Sequence, residues 1–170
     1  MGLPSGLKWA TCNVGASTPS DCGDYYAWGE INTQGTYFTN DSESWGKNWD
    51  NIEGNPRRDV ATAKWGGSWR MPTKEEFQEL ISCCIWTWTQ QNLREGYKIT
   101  GRTGQSIFIP SAGYRFGYGV SYEGLGYYWT STPNVSSNGR ANNLFFSDDG
   151  QGVGESSRSN GLPVRPVLKN

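Results

Sequence analysis

The sequence predicts a single α+β domain in which short antiparallel strands and two helices are joined by long irregular loops. A chain of 170 residues fits one domain and is long enough to bury a core. Only 35% of it is hydrophobic, but 9 Trp, 9 Tyr and 6 Phe supply rings that fill a core with little Leu or Val. The 23 Gly and 8 Pro indicate many turns and loops. No linker or internal repeat divides the chain, so we expect one domain over residues 1–170.

Residues 65–84 predict the longer helix. Thr73 is a good N-cap, and Glu76 follows it by three residues, which is the spacing of a capping box. Pro72 precedes the cap, where it does not interrupt the helical hydrogen bonds. The residues that follow place an apolar stripe along one side. That stripe consists of Phe77, Leu80, Ile81 and Cys84.

The rest of the chain predicts short elements. A second helix is expected over residues 59–65, with Asp59 as its N-cap. Residues 23–30 form a strand or a packed aromatic loop, and residues 31–56 a long polar loop. A turn at residues 101–104 joins two strands into a hairpin. The predicted strands are residues 7–14, 85–89, 96–100, 106–110, 127–131, 142–147 and 163–168.

The residue types argue against catalysis and against a metal or cofactor. The chain has no histidine, so a Ser–His–Asp or Cys–His arrangement is excluded. Its four cysteines lack the spacing of zinc ligands. A Cys12–Cys22 or a Cys12–Cys84 disulfide and free thiols all remain compatible with the sequence. We therefore expect a protein that is not an enzyme and needs no cofactor.

Charge and hydropathy exclude two classes of partner. The net charge is −1, and the basic pair Arg57-Arg58 is not part of a longer basic run, so we expect no nucleic-acid binding. No apolar stretch approaches the length of a membrane-spanning helix. The turn at residues 148–150 offers only two carboxylates, too few to predict calcium binding.

The last third of the chain has the composition of a ligand-binding surface. Residues 111–127 and 133–161 are rich in Gly, Ser, Asn and Tyr and are too irregular to predict periodic structure. Tyr gives contact area at low entropic cost, and Ser, Gly and Asn give adaptable hydrogen bonds, as in antibody loops. We therefore divide the domain into a scaffold (1–110), a ligand face (111–161) and a C-terminal strand (162–170). The candidate contact positions have no obvious structural role; they are Phe116, Tyr118, Val120, Tyr122, Glu123, Leu125, Arg140, Asn142, Asp148, Gln151, Val153, Glu155, Arg158 and Asn160.

Six phrases, in chain order, resemble a bacterial family. They are LPSGLKWATCNVGA, GDYYAWGE, WGGSWRMPTKEEFQEL, FIPSAGYR, YYWTST and PVRPV. Together they resemble the "major paralogous domain" proteins, a family of surface and secreted proteins. Residues 69–76 and 161–167 also resemble, more distantly, the formylglycine-generating-enzyme branch of the C-type lectin fold. The resemblance implies a C-type-lectin-like domain, in which the two termini pair in one small sheet and a second sheet supports long exposed loops.

The resemblance also implies a function. The same fold carries the variable proteins of diversity-generating retroelements, in which a reverse transcriptase rewrites the C-terminal coding segment. This implies a retroelement-diversified face that recognises an unknown protein or glycan, on a cell-surface, secreted or phage-encoded protein. Formylglycine-generating enzymes use reactive cysteines near the C-terminus, whereas no cysteine follows Cys84 here. The alternatives are an invariant surface-display or adhesin module, and an enzyme related to the formylglycine-generating branch.

Overall fold

The computed structural model describes residues 1–169 and has the α+β composition that the sequence predicts. A 3-10 turn, Thr39–Asp41, lies in the long polar loop. The two α-helices are α1 (Val60–Trp65) and α2 (Lys74–Cys83). The strands are β1 (Lys8–Trp9), β2 (Trp69–Arg70), β3 (Ile85–Gln91), β4 (Arg94–Thr100), β5 (Ser106–Pro110), β6 (Tyr114–Phe116), β7 (Gly119–Ser121), β8 (Gly126–Pro133), β9 (Arg140–Ser147), β10 (Gly150–Ser157) and β11 (Val167–Leu168).

The strands form three three-stranded sheets and one separate hairpin. A terminal sheet has the order β1-β11-β2, so the first strand pairs with the last. The central sheet has the order β8-β9-β10, and a third sheet has the order β3-β4-β5. The remaining pair, β6 and β7, forms the hairpin that carries the exposed rings of Phe116 and Tyr118. All of these strand pairs are antiparallel.

Both predicted helices are confirmed, together with their N-caps. Thr73 Oγ1 accepts a hydrogen bond from Glu76 N at 3.3 Å, and the Glu76 carboxylate accepts one from Thr73 N at 2.9 Å. These two bonds satisfy N–H groups that have no partner within the helix. Asp59 caps α1 through a 3.0 Å bond from Thr62 N. On the predicted stripe of α2, Phe77 and Leu80 are fully buried, while Ile81 and Cys84 pack against the same core from its margin.

Two hydrophobic cores lie on opposite faces of the central sheet. Tyr128 and Trp129 are neighbours in β8, and alternating side chains in a strand point to opposite faces. Tyr128 joins the first cluster, which contains Phe77 of α2, and Trp129 joins the second, which contains Trp28. All four rings are fully buried or nearly so. Large aromatic side chains thus fill both cores, as the composition indicated.

Two of the predicted strands are much shorter than expected, and one segment is a loop. Of residues 7–14 only Lys8–Trp9 is strand, and of residues 163–168 only Val167–Leu168. Residues 23–30 are a packed loop with one bridge, from Tyr26 to Leu162. A buried guanidinium replaces part of the missing ladder, because Arg165 donates to the carbonyls of Ala10 and Thr11. Backbone acceptors satisfied in this way do not need a neighbouring strand.

The expectation that residues 133–161 lack periodic structure is wrong. The segment GQGVGESS is the eight-residue strand β10, paired with β9 along its whole length from Gly150↔Ser147 to Ser157↔Arg140. Residues 111–127 likewise contain β6 and β7. The predicted boundary at residue 110 between scaffold and ligand face is therefore not a structural boundary, because β8 and β9 supply core residues.

Two further expectations concern disulfide bonds and membrane-spanning helices. Cys12, Cys22, Cys83 and Cys84 are all free, partly buried thiols, so of the alternatives that the sequence allowed the structure has the unbridged one. Burial raises the pKa of the Cys22 and Cys84 thiols, which keeps them protonated and unreactive. In residues 1–169 no helix has the length and apolar character needed to cross a membrane.

Candidate ligand-binding surface

The β6–β7 hairpin is fixed to the body of the protein by backbone hydrogen bonds on both sides. Tyr37 and Gly117 exchange two bonds of 2.8 and 3.0 Å. Arg115 and Gly161 exchange two more, of 2.7 and 2.9 Å. Tyr37 itself is fully buried, and its hydroxyl donates to the carbonyl of Tyr25. The hairpin is therefore a rigid support for the side chains it carries.

Three aromatic rings form a cluster at the end of this hairpin, which we call the tip cluster: Phe38, Phe116 and Tyr118. Phe38, from the polar loop, contacts Phe116 and Tyr118 edge to face, with ring centroids 6.2 and 5.3 Å apart. The exposed fractions are 37% for Phe38, 56% for Phe116 and 79% for Tyr118. A contiguous exposed apolar patch on a rigid element is typical of an interaction site.

A second set of rings, the aromatic row, runs from the hairpin onto the central sheet. Tyr122 stacks on Tyr114, with centroids 5.4 Å apart and planes 14° from parallel. Tyr114 contacts Tyr127 at 4.9 Å, and Tyr127 contacts Phe145 at 5.1 Å. Burial, which is the largest cause, raises the pKa of the Tyr114 and Tyr127 hydroxyls, so both stay neutral and able to donate.

Tyr122 adopts an unfavourable backbone conformation at the exposed end of this row. Its φ is +56°, in the left-handed region that bulky residues seldom occupy. Such a conformation costs about 1–3 kcal/mol and is often found at binding and switch sites. Tyr122 is 60% exposed, so burial of its ring offsets little of this conformational cost. The conformation turns its ring onto Tyr114 and orders the end of the row.

Only part of the predicted ligand face comes together here. The hairpin and the turn after it carry Phe116, Tyr118, Val120, Tyr122, Glu123 and Leu125; all but the half-buried Leu125 are exposed. Val120 pairs with Arg115 in the hairpin register. These six positions form one continuous segment, and we regard them as the candidate surface together with Phe38.

The predicted positions on β9 and β10 lie on the other face of the central sheet. Arg140 and Glu155 form a 2.9 Å ion pair, and Asn142 is paired in register with Glu155. Asn142 and Phe145 are three positions apart in β9, so their side chains point to opposite faces. The Asn142 amide donates to Pro133 O at 2.8 Å. The sheet thus separates these residues from the aromatic row.

The expectation that Arg158 and Val153 lack a structural role is wrong. Arg158 is 1% exposed, and its guanidinium lies over the Trp28 ring, 4.4 Å from Cζ to centroid. Val153 packs against the first hydrophobic cluster. Both were included because a glycine- and serine-rich segment does not reveal which positions face the core.

The remaining predicted positions are dispersed. Asp148 is exposed in the turn between β9 and β10, Gln151 is half-buried in β10, and Asn160 is half-buried in the turn after β10. In the part of the chain that the structure describes, no three His, Cys, Asp or Glu side chains converge to hold a metal ion. The candidate surface offers exposed aromatic contact area.

Four residues of the surface were missed by sequence reasoning. Tyr114 and Tyr127 lie in the phrases FIPSAGYR and YYWTST, which carry the resemblance, and Phe145 lies in the predicted strand 142–147. Phe38 is a single Phe in a polar loop, and no local pattern in the sequence indicates that it packs against Phe116 and Tyr118.

Comparisons with protein-family models, with curated proteins and with solved structures found no significant match to this chain.

Proposed function

We propose that this protein is a non-catalytic binding protein whose β6–β7 hairpin and tip cluster contact a protein or glycan partner. The observation that carries the proposal is the tip cluster, where three aromatic rings stand exposed on a backbone fixed by four hydrogen bonds. Aromatic side chains that are already ordered lose little entropy on binding and are the commonest anchors of protein interfaces. Tyr118, the most exposed ring, is the proposed anchor. Because the Tyr118 side chain is 79% exposed, it is better suited to insert into a pocket of a protein partner than to stack on a flat sugar ring.

The architecture supports a C-type-lectin-like fold for this proposal. The first and last strands pair, Lys8 with Leu168 and Trp9 with Val167, in one small sheet. Residues 10–59 contain no strand longer than a single bridge, which agrees with long loops. Both features are those that the resemblance to the "major paralogous domain" family implies.

The retroelement hypothesis is a further part of the proposal. Phe116, Tyr118 and Tyr122 are exposed, so they can vary without disturbing the core. Tyr128 and Trp129, which belong to the phrase YYWTST, are by contrast fully buried. The test is to sequence the DNA around the gene. A near-copy of the codons for residues 111–167, with adenines at the exposed positions, beside a reverse transcriptase supports a diversified face on a surface, secreted or phage protein. If no such copy is found, the protein is instead an invariant surface-display or adhesin module.

The binding proposal is tested by changing the tip cluster. Fluorescently labelled wild-type protein is screened on an array of extracellular proteins and on a glycan array, and each hit is titrated with Tyr118→Ala and Phe116→Ala. We expect each variant to bind at least about tenfold more weakly, since hot-spot aromatics contribute 2 kcal/mol or more. Both variants should unfold at the wild-type midpoint, because the side chains are exposed.

The matched control is Leu93→Ala, which truncates an apolar side chain that is 91% exposed on the β3–β4 turn. It should bind as the wild type does. If the control and the tip variants bind equally well, or if truncation at Tyr118 unfolds the protein, the tip cluster is not the binding surface.

A further inference from the structure

A polar groove lies between two loops, residues 47–50 and 133–138, and contains none of the hairpin residues. Its volume is about 600 Å³, within the range of about 300–1,000 Å³ usual for small-ligand sites. The walls are tied together, because Gly46 N donates to Asn138 O at 3.0 Å and the Asn138 amide donates back to Gly46 O at 3.2 Å. The shape of the groove is therefore set before any ligand arrives.

Arg158 lines this groove and is itself only 1% exposed. Its Nε donates to Arg140 O at 3.0 Å, and its Nη1 donates to Ser44 O and Lys47 O at 3.1 and 2.7 Å. Trp28 covers one face of the guanidinium. All of these acceptors are neutral, and no ion pair within residues 1–169 involves Arg158.

One edge of that guanidinium remains available. A guanidinium carries five N–H donors, and two of them belong to Nη2. Nη2 donates to no acceptor among the described residues. It is not fully enclosed by the protein, so it keeps some contact with solvent. Since Arg158 lines the groove and Nη2 is its unpaired nitrogen, we infer that Nη2 is the edge that faces the groove. A buried charge without a counter-ion is costly, and an anion at this position would relieve that cost.

The walls of the groove have the chemistry of a site for a hydroxylated anion. Lys47 adds a second positive charge and Asp50 one negative charge, so positive charge is in excess beside Nη2. Most other lining side chains are amides and hydroxyls that exchange hydrogen bonds with alcohols. These are Asn48, Asn134, Ser136, Ser137 and Asn138.

We propose that this groove binds an acidic saccharide, with its carboxylate on Arg158 Nη2 and Lys47 Nζ and its hydroxyls on the amide and hydroxyl side chains. A carboxylate fits the fork of N–H donors that a guanidinium presents. The site is separate from the tip cluster, so the inference goes beyond the proposed function and does not depend on it.

The first experiment compares digalacturonate with its dimethyl ester by calorimetric titration into the full chain. The two probes share the same sugar rings and hydroxyls, but the carboxylates of the acid are neutral methyl esters in the other. We expect the acid to bind at least tenfold more tightly, since a hydrogen bond to a charged group is worth more than one to a neutral group. The acid should also shift the ¹⁵Nε resonance of Arg158 in NMR spectra, which a purely structural role for Arg158 would not produce.

Exposed residues of the groove provide variants that leave the buried guanidinium in place. Ser136→Trp fills the groove and Lys47→Glu reverses a charge, and both should reduce the affinity for digalacturonate at least tenfold. Thr89→Trp, a substitution on exposed β3, is the matched control and should bind normally. Tyr118→Ala should also bind normally, which separates this site from the tip cluster.

Four results would overturn the inference. They are equal affinity for the acid and the ester, no binding of the acid, full binding by Ser136→Trp, and tighter binding of acetyl-glutamate than of digalacturonate. The last result would assign the groove to peptide carboxylates instead of saccharides.

Discussion

Single buried charges hold distant parts of this chain together. Arg165 is fully buried and donates to Asn13 Oδ1 at 2.7 Å and to Phe108 O at 3.0 Å, in addition to the carbonyls of Ala10 and Thr11. Burial lowers the pKa of this guanidinium to about 10, which still leaves it charged at neutral pH. One side chain thus connects the N-terminal segment, β5 and the C-terminal segment.

Glu30 makes the stability of the fold depend on pH. It is buried, accepts a 2.8 Å bond from Glu43 N, and its pKa is raised first by burial and then by the charges of Glu43 and Asp41. The folded state therefore binds a proton more tightly than the unfolded state. The resulting stabilisation is fully present below the ordinary pKa of Glu and is lost as the pH rises through the raised value.

We predict that this contribution disappears in Glu30→Gln, whose side chain does not titrate. The difference in unfolding free energy, wild type minus variant, should fall as the pH rises from the ordinary pKa of Glu through the raised pKa of Glu30, by about 1.4 kcal/mol for each unit of raised pKa. Urea denaturation of both proteins across this range measures it. A difference that stays constant or grows with pH would show that folding does not raise the pKa of the Glu30 carboxyl group.

Among the elements, β8 depends on a glycine that the neighbouring strand requires. A Cβ on Gly126 would lie 2.0 Å from the ring of Phe146, its partner in β9. Phe146 is fully buried against Tyr97 and Tyr128 and cannot move aside without disturbing them. Gly152 lies in the same sheet, on β10, and has no heavy atom within 4 Å of its Cβ position.

This contrast gives a prediction with a matched control. Gly126→Ala should lower the free energy of unfolding by about 1–3 kcal/mol, the usual cost of overpacking a core. Gly152→Ala should change it by less than about 0.5 kcal/mol, as at most surface positions. Guanidinium denaturation of the two variants distinguishes them. Equal effects would mean that the loss of glycine, and not the contact with Phe146, sets the cost.

Elements defined by local interactions were the ones that the sequence predicted well. The caps of Thr73 and Asp59 act within three residues, so both helices could be predicted from spacing alone. Strand β10 could not, because its glycines have low strand propensity, and it is stabilised by distant partners: its pairing with β9 and the packing of Val153 against the first cluster. The prediction of Arg158 as a contact position was wrong for the same reason, because the burial of Arg158 depends on a loop more than a hundred residues earlier in the chain.

For the whole molecule, the central sheet contributes side chains to both hydrophobic clusters. Tyr128 and Leu144 face the first cluster, while Trp129 and Ala141 face the second. Pairing of β8 with β9 requires both faces to be covered, because either one alone would expose large aromatic rings to water. We therefore expect the two clusters to form and melt as one cooperative unit.

Leu144→Ala in the first cluster and Leu162→Ala in the second test this expectation, since both side chains are fully buried. Each should lower the free energy of unfolding by about 2–5 kcal/mol, the cost of a Leu→Ala cavity. Tryptophan fluorescence and far-ultraviolet circular dichroism should keep a common denaturation midpoint in both variants. If one variant instead shows two separate transitions, the clusters are independent units. The β6–β7 hairpin would then depend on the second cluster, against which Tyr114 of β6 packs.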